Sequence, residues 1–121
     1  MTDDLDRKAL ASAWFRSLRD DIVAAFEELE GPEGARFDVT PTTRADGGGG
    51  IMSVLRGGAV FEKVGVNWSQ VHGTLGDKAR AAMTARGVPL VDADGKVWDG
   101  SFWARGISLV AHMTNPHCPA V

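Results

Sequence analysis

Apolar residues recur every three or four positions through the first thirty residues of the chain. Between Asp3 and Glu30 they are Leu10, Trp14, Leu18, Ile22, Phe26 and Leu29. This spacing predicts one amphipathic helix, ended by Gly31-Pro32, with Trp14, Leu18, Ile22 and Phe26 buried against a sheet. Because several acidic residues lie at its C-terminal end, where the helix dipole disfavours negative charge, we expect its last turn to fray.

The middle of the chain changes to a pattern typical of strands. The runs Ile51 to Leu55 and Ala59 to Trp68 are rich in β-branched and aromatic residues, which suit a pleated surface. Gly57-Gly58 separates them and can supply the two positive φ angles that a type I′ turn requires. The sequence therefore predicts a β-hairpin here.

Shorter signals complete the predicted fold. A strand at Arg36 to Thr40 is expected to stop at Pro41, and an alanine-rich helix is expected at Asp77 to Arg86. Asp94-Gly95 indicates a turn within a loop or small hairpin. Gly106 to Met113 alternates like a strand with one face in the core. The fold class is therefore α+β, an antiparallel sheet flanked by helices in a single domain over residues 1–121.

The four consecutive glycines at Gly47–Gly50 have two interpretations. Glycine is costly to order, so the run indicates close approach of the backbone to a ligand or to another segment. A flexible loop explains the same pattern. A phosphate-binding loop is excluded, because no Gly-Lys-Ser/Thr ending and no helix follow the glycines.

Composition and charge narrow the class of protein. The 121 residues are 44% hydrophobic and 24% charged, which is typical of a globular domain. The net charge of −3 argues against a nucleic-acid partner. With one cysteine, Cys118, no internal disulfide is possible, and neither a secretory signal nor a membrane span is recognisable. These features predict a soluble cytoplasmic protein.

The residues themselves leave the chemistry of the chain open. His72, His112 and His117 lack the HxH or HxxxH spacing of a metal site, so each is first interpreted as a structural histidine. No nucleophile elbow surrounds Ser108. Since Ser108 and His112 are four residues apart in a predicted strand, we expect both on one face of the sheet, lining one pocket.

Two blocks of unusual residues carry a family resemblance. GGGG followed by VLRGGAVFEKVGVNWSQVHG, and then GSFWARGISLVAHMTNPHCPAV, closely resemble the oxygen-dependent coproporphyrinogen III oxidase family of haem biosynthesis. The resemblance implies a partial form of that family's fold, a large antiparallel sheet with helices on both sides in a homodimer. This chain is then the N-terminal portion of a coproporphyrinogen III oxidase-like domain.

The resemblance also implies roles for individual residues. It places Ser108 on a substrate-binding serine and His112 on a histidine assigned as a ligand of a divalent metal. It places no catalytic residue in this chain, because the family's proton-donor histidine lies beyond Val121. Arg56 and Arg105 lie beside glycine turns in the matched blocks and are weaker candidates for binding substrate carboxylates.

The implied reaction is the oxidative decarboxylation of two propionates of coproporphyrinogen III, which gives protoporphyrinogen IX. Molecular oxygen is the implied co-substrate, and no cofactor is implied beyond a possible divalent metal cation. By itself the chain is expected to be inactive, since the proton donor is missing. The alternative is a non-catalytic module that binds a tetrapyrrole or only dimerises.

Overall fold

The computed structural model describes residues 2–45 and 47–121. The elements in chain order are the helix α1 (Thr2–Glu30), the strands β1 (Asp38–Thr43), β2 (Gly48–Arg56) and β3 (Phe61–Thr74), the helix α2 (Asp77–Ala85) and the strand β4 (Ser101–Met113). The strands form one antiparallel sheet in the order β1-β2-β3-β4, which confirms the α+β prediction. No helix in the described ranges is long and apolar enough to cross a membrane.

The core lies between α1 and one face of the sheet. Its buried apolar residues are Phe37, Leu55, Phe61, Val64, Val66 and Ala111, and Ile22, Val23, Phe26, Ile107, Leu109 and Met113 pack against them. Phe26 makes edge-to-face contacts with Phe61 and Phe37, at ring-centroid distances of 4.8 and 6.4 Å. We refer to this side of the sheet as the helix face, and to the opposite side as the open face.

The predicted burial of Trp14 is wrong. Its side chain is 62% exposed, whereas Ile22 and Phe26 pack on the core and Leu18 is half-buried. A spacing of four residues exceeds the 3.6 residues of a helical turn, so between Leu10 and Phe26 the stripe rotates by about 160° around the axis. The C-terminal half of the stripe faces the sheet, and Leu10 and Trp14 therefore face elsewhere.

The strands extend beyond their predicted bounds. β1 continues through Pro41, which pairs with Ile51, because β1 is an edge strand and needs backbone donors on one side only. β3 runs past Trp68 to Thr74, and β4 begins at Ser101 rather than Gly106. The central part of each predicted strand is confirmed, because periodicity identifies a strand more reliably than it identifies the residues at its ends.

The two smaller predictions are confirmed. The second helix occupies Asp77–Ala85, within one residue of its predicted end. The Asp94-Gly95 turn closes a small hairpin with a bridge between Val91 and Val97, and Gly95 has a φ of +79°. Both signals are local in sequence, which is why they could be recognised without the tertiary structure.

The connection between β2 and β3 is not the predicted type I′ turn. Gly57 has a positive φ of 65°, but Gly58 does not have one. The connection comprises residues 57–60, and it closes with N–H donation from Gly57 to the Glu62 carbonyl and from Gly58 to the Phe61 carbonyl, both at 2.9 Å. This longer loop leaves several of its N–H groups free to bind a partner outside the hairpin.

That partner is Glu30, the last residue of α1. Its carboxylate accepts hydrogen bonds from the backbone N–H groups of Ala59, Val60 and Phe61 at 2.8, 3.0 and 2.7 Å. These bonds compensate for the unfavourable position of a carboxylate at a helix C-terminus. The helix runs in full to Glu30, so the expected fraying of its last turn is not observed.

The glycine run is the start of β2, and its purpose is close backbone approach to the neighbouring strands. A Cβ atom at Gly49 would lie 2.3 Å from the carbonyl oxygen of Thr42, and one at Gly50 would lie 2.2 Å from that of Trp68. Any side chain at these positions would push β2 away from β1 or β3. The run is therefore an ordered part of the sheet and not a flexible loop.

Candidate functional site

Alternation along β4 divides its side chains between the two faces of the sheet. Ile107, Leu109 and Ala111 pack on the helix face, so Ser108 and His112 lie on the open face, where both are exposed. Their shared face agrees with the expectation from their spacing. The depression beside His112 is lined by Arg56, Glu62 and Lys63 and does not include Ser108, so a pocket shared by Ser108 and His112 stays a prediction.

The surroundings of Ser108 on the adjacent strand are polar. On the adjacent strand it pairs directly with Asn67, and one step further along Ser69 pairs with Gly106. The Oδ1 atom of Asn67 is buried but has no hydrogen-bond partner. Because buried polar atoms are nearly always paired, the Asn67–Ser108 pair has unused hydrogen-bonding capacity.

His112 lies at one end of the open face, next to two basic residues. It pairs across the strands with Lys63, and Lys63 pairs in turn with Arg56. Together with Glu62, these residues line a shallow depression of about 450 Å³. A β-bulge between Phe61 and Lys63 in β3 adjoins the depression.

These neighbours do not fit a divalent metal at His112. In residues 2–45 and 47–121 no three His, Cys, Asp or Glu side chains are close enough together to hold an ion. The side chains of Arg56 and Lys63 are cationic and would repel one. Metal binding by His112 stays an untested prediction, and we derive no chemical step from it.

Arg105 lies on the helix face, away from Ser108. Its Nε atom donates to Ser12 Oγ at 3.0 Å, and its guanidinium carbon is 4.6 Å from the centre of the Trp103 ring. Burial lowers the pKa of Arg105, and the nearby positive charge of Arg16 lowers it further. Arg105 and Ser108 therefore lie on opposite faces of the sheet, whereas Arg56 lies on the same face as Ser108.

Two residues of the open face were missed by sequence analysis, namely Lys63 and Asn67. The alternation of apolar and polar residues along β3 could have indicated them. Val64, Val66 and Trp68 are buried on the helix face, so the odd-numbered residues beside them lie on the open face. That pattern does not reveal which residue of β4 lies opposite each one. The pairing of Asn67 with Ser108 is a property of the register alone.

The other two histidines lie outside this arrangement. His72 is exposed near the end of β3, where it pairs with Trp103. His117 is exposed in the turn after β4, and its backbone N–H donates to Asn115 Oδ1 at 2.9 Å. Neither residue adds to the groups around Ser108.

Comparison with known proteins decides the family to which this sheet belongs. The family model described as coproporphyrinogen III oxidase matches residues 11–121, which include every strand and both blocks singled out in the sequence. The chain belongs to the coproporphyrinogen III oxidase family. The resemblance noted from the sequence is thereby confirmed.

Named members of the coproporphyrinogen III oxidase family are similar to almost all of this chain. The oxygen-dependent coproporphyrinogen-III oxidase of Rickettsia peacockii (strain Rustic) is 41% identical over 125 aligned positions, covering 98% of this chain and 41% of the relative. The mitochondrial oxygen-dependent coproporphyrinogen-III oxidase of Homo sapiens is 44% identical over 100 aligned positions, which cover 83% of this chain and 21% of the relative. The chain thus spans 41% of the length of its Rickettsia relative.

Proposed function

We propose that this chain forms the part of an oxygen-dependent coproporphyrinogen III oxidase that holds the tetrapyrrole substrate. The observation that carries the proposal is the position of Ser108 on the open face, paired with Asn67, whose Oδ1 has no hydrogen-bond partner. The catalytic activity is proposed for a protein of the family's full length. That protein is proposed to act in haem biosynthesis as a cytoplasmic homodimer.

The proposed reaction converts two propionate side chains of the substrate into vinyl groups. Each conversion breaks the bond to the carboxylate carbon, releases carbon dioxide and removes a proton and an electron pair from the remaining two carbons. Two such steps yield four electrons and two protons, and with two further protons from the solvent these reduce one dioxygen to two water molecules. Since the pyrrole ring is electron-rich, it can supply electrons to dioxygen directly.

The residues of this chain would bind and orient the substrate. The hydroxyl group of Ser108 and the amide N–H groups of Asn67 can donate hydrogen bonds to a propionate carboxylate. Gly65 and Gly106 lie beside this pair and carry no side chain, so a ring can approach the backbone of β3 and β4 at these two positions.

Binding of a tetrapyrrole by the 121-residue chain tests this proposal. Coproporphyrinogen III is titrated under nitrogen, and quenching of tryptophan fluorescence is followed for the unchanged chain and for Ser108→Ala. We expect saturable binding that weakens about tenfold in the variant, the effect of losing one hydrogen bond to a charged group. Ser101→Ala, which removes an exposed hydroxyl group from the beginning of the same strand, is the matched control.

A separate assay in air follows formation of the divinyl product by chromatography. The chain alone is expected to bind without producing it, as the sequence analysis anticipates. If the unchanged chain fails to bind, or if Ser108→Ala binds as tightly as Ser101→Ala, the open face is not the tetrapyrrole site.

A further inference from the structure

Three basic side chains form a row across the open face, one on each of three adjacent strands. Arg56 on β2 pairs with Lys63 on β3, and Lys63 pairs with His112 on β4. All three are exposed and line the same depression. We call these residues the basic row.

The basic row has no anionic partner within the described residues. Like charges directly opposite each other on neighbouring strands destabilise a sheet, so Arg56 beside Lys63 is unfavourable without a counter-charge. The ion pairs found in residues 2–45 and 47–121 lie within α1 or join it to Arg36. Glu62 borders the depression but makes no ion pair with the row. An anion bound from outside would remove this repulsion.

The chemistry of the row suits a carboxylate. The planar guanidinium group of Arg56 can bind both oxygens of a carboxylate at once, and the ammonium group of Lys63 adds a second positive charge. An anion at this position also accounts for the poor fit of His112 to a metal, because the groups that repel a cation attract a carboxylate.

The distance between the basic row and Ser108 would allow one ligand to contact both, with one end at each. His112 and Ser108 are four residues apart along β4, which corresponds to about 13 Å at the rise of an antiparallel strand. Between them on the same face lies the apolar side chain of Val110, which is exposed and pairs with Gly65. A tetrapyrrole ring that lies over Val110 and Gly65 could therefore place acidic groups at both ends.

We propose that the basic row Arg56, Lys63 and His112 binds one carboxylate of a tetrapyrrole whose opposite edge lies at Asn67 and Ser108. This inference rests on the proposed function and adds a second subsite to it. Arg56 and Lys63 are binding residues in this arrangement. The subsite selects ligands with carboxylates on opposite edges of the ring over ligands with carboxylates on one edge.

Two porphyrins test the subsite by fluorescence titration of the 121-residue chain. Coproporphyrin III is stable in air and has a carboxylate on each of its four pyrrole rings. Deuteroporphyrin IX has carboxylates on two neighbouring rings only, so it can reach one end of the open face at a time. We expect the unchanged chain to bind coproporphyrin at least tenfold more tightly.

The critical variant combines Arg56→Gln with Lys63→Gln. We expect it to bind coproporphyrin about tenfold or more weakly and to retain no more than about a threefold preference over deuteroporphyrin. The matched control combines Lys78→Gln with Arg86→Gln, which removes the same two charges from exposed positions in and after α2. Circular dichroism and the melting temperature verify that both double variants remain folded.

The outcomes separate the subsite from the proposed function. If the critical variant binds coproporphyrin as tightly as the control variant, while Ser108→Ala weakens binding, the subsite is overturned and the proposed function stands. If the unchanged chain binds coproporphyrinogen III under nitrogen but does not prefer coproporphyrin to deuteroporphyrin, the subsite alone is overturned. If it binds none of the three, both fall. If Mn²⁺ or Zn²⁺ raises the melting temperature of the unchanged chain but not of His112→Ala, the row holds a cation, and the carboxylate assignment is overturned.

Discussion

Replacing Glu30 with alanine tests how the helix is held to the hairpin. The carboxylate of Glu30 accepts three backbone hydrogen bonds from the connection between β2 and β3, at 2.7 to 3.0 Å. The variant leaves these N–H groups without their protein partner. It also breaks the link between the end of α1 and the beginning of β3, which adjoins the basic row.

The magnitude follows from the exposure of the three donors. Ala59 and Val60 are exposed, so their N–H groups can donate to water instead. The loss of each of these two hydrogen bonds should lower the unfolding free energy by roughly 1 kcal/mol or less. Phe61 is buried, and its hydrogen bond to a charged group contributes about 1.5 to 3 kcal/mol. Removing a carboxylate from a helix C-terminus returns about 0.3 to 1 kcal/mol. These terms sum to a net loss of unfolding free energy between about 0.5 and 5 kcal/mol, with a central value of about 2.5 kcal/mol.

Urea denaturation, with the m-value checked for constancy, measures this loss directly. For a chain of this length it corresponds to a fall in melting temperature of roughly 10 °C. Glu28→Ala is the matched control, because Glu28 is an exposed carboxylate in the same helical turn, and it should be neutral or slightly stabilising. A loss below about 0.5 kcal/mol, or equal losses in both variants, would refute the structural role of Glu30.

Two further predictions concern packing. Phe26→Ala should lower the unfolding free energy by roughly 3 kcal/mol, because Phe26 contacts two other rings, whereas Trp14→Ala on the same helix should cost under about 1 kcal/mol. Similar losses by urea denaturation would mean that the helix packs through a different face. Gly50→Ala should destabilise the sheet by at least about 2 kcal/mol, since its Cβ would meet the Trp68 carbonyl. Gly76→Ala, with open space around it, should cost less than about 1 kcal/mol, the effect of changing the N-cap residue of α2. Equal melting temperatures would show that β2 can move to accommodate a side chain.

Much of this fold follows from local sequence signals. The long helix, the second helix, the Asp94-Gly95 turn and the central parts of the strands were predicted from periodicity and from the glycines and prolines that end each element. The family was predicted from two blocks of unusual residues and confirmed over residues 11–121. These features depend on residues that are close together in the chain, so no tertiary contact was needed to identify them.

Tertiary structure decided which residues face one another. The stripe on α1 could not show whether Trp14 or Phe26 meets the sheet, because the stripe rotates around the helix and only docking selects a side. Arg105 was predicted to lie beside a glycine turn, just before the strand expected from Gly106, and extension of β4 to Ser101 places it within the strand, on the helix face and away from Ser108. The basic row and the Asn67–Ser108 pair exist only through strand register, which depends on contacts between residues distant in sequence.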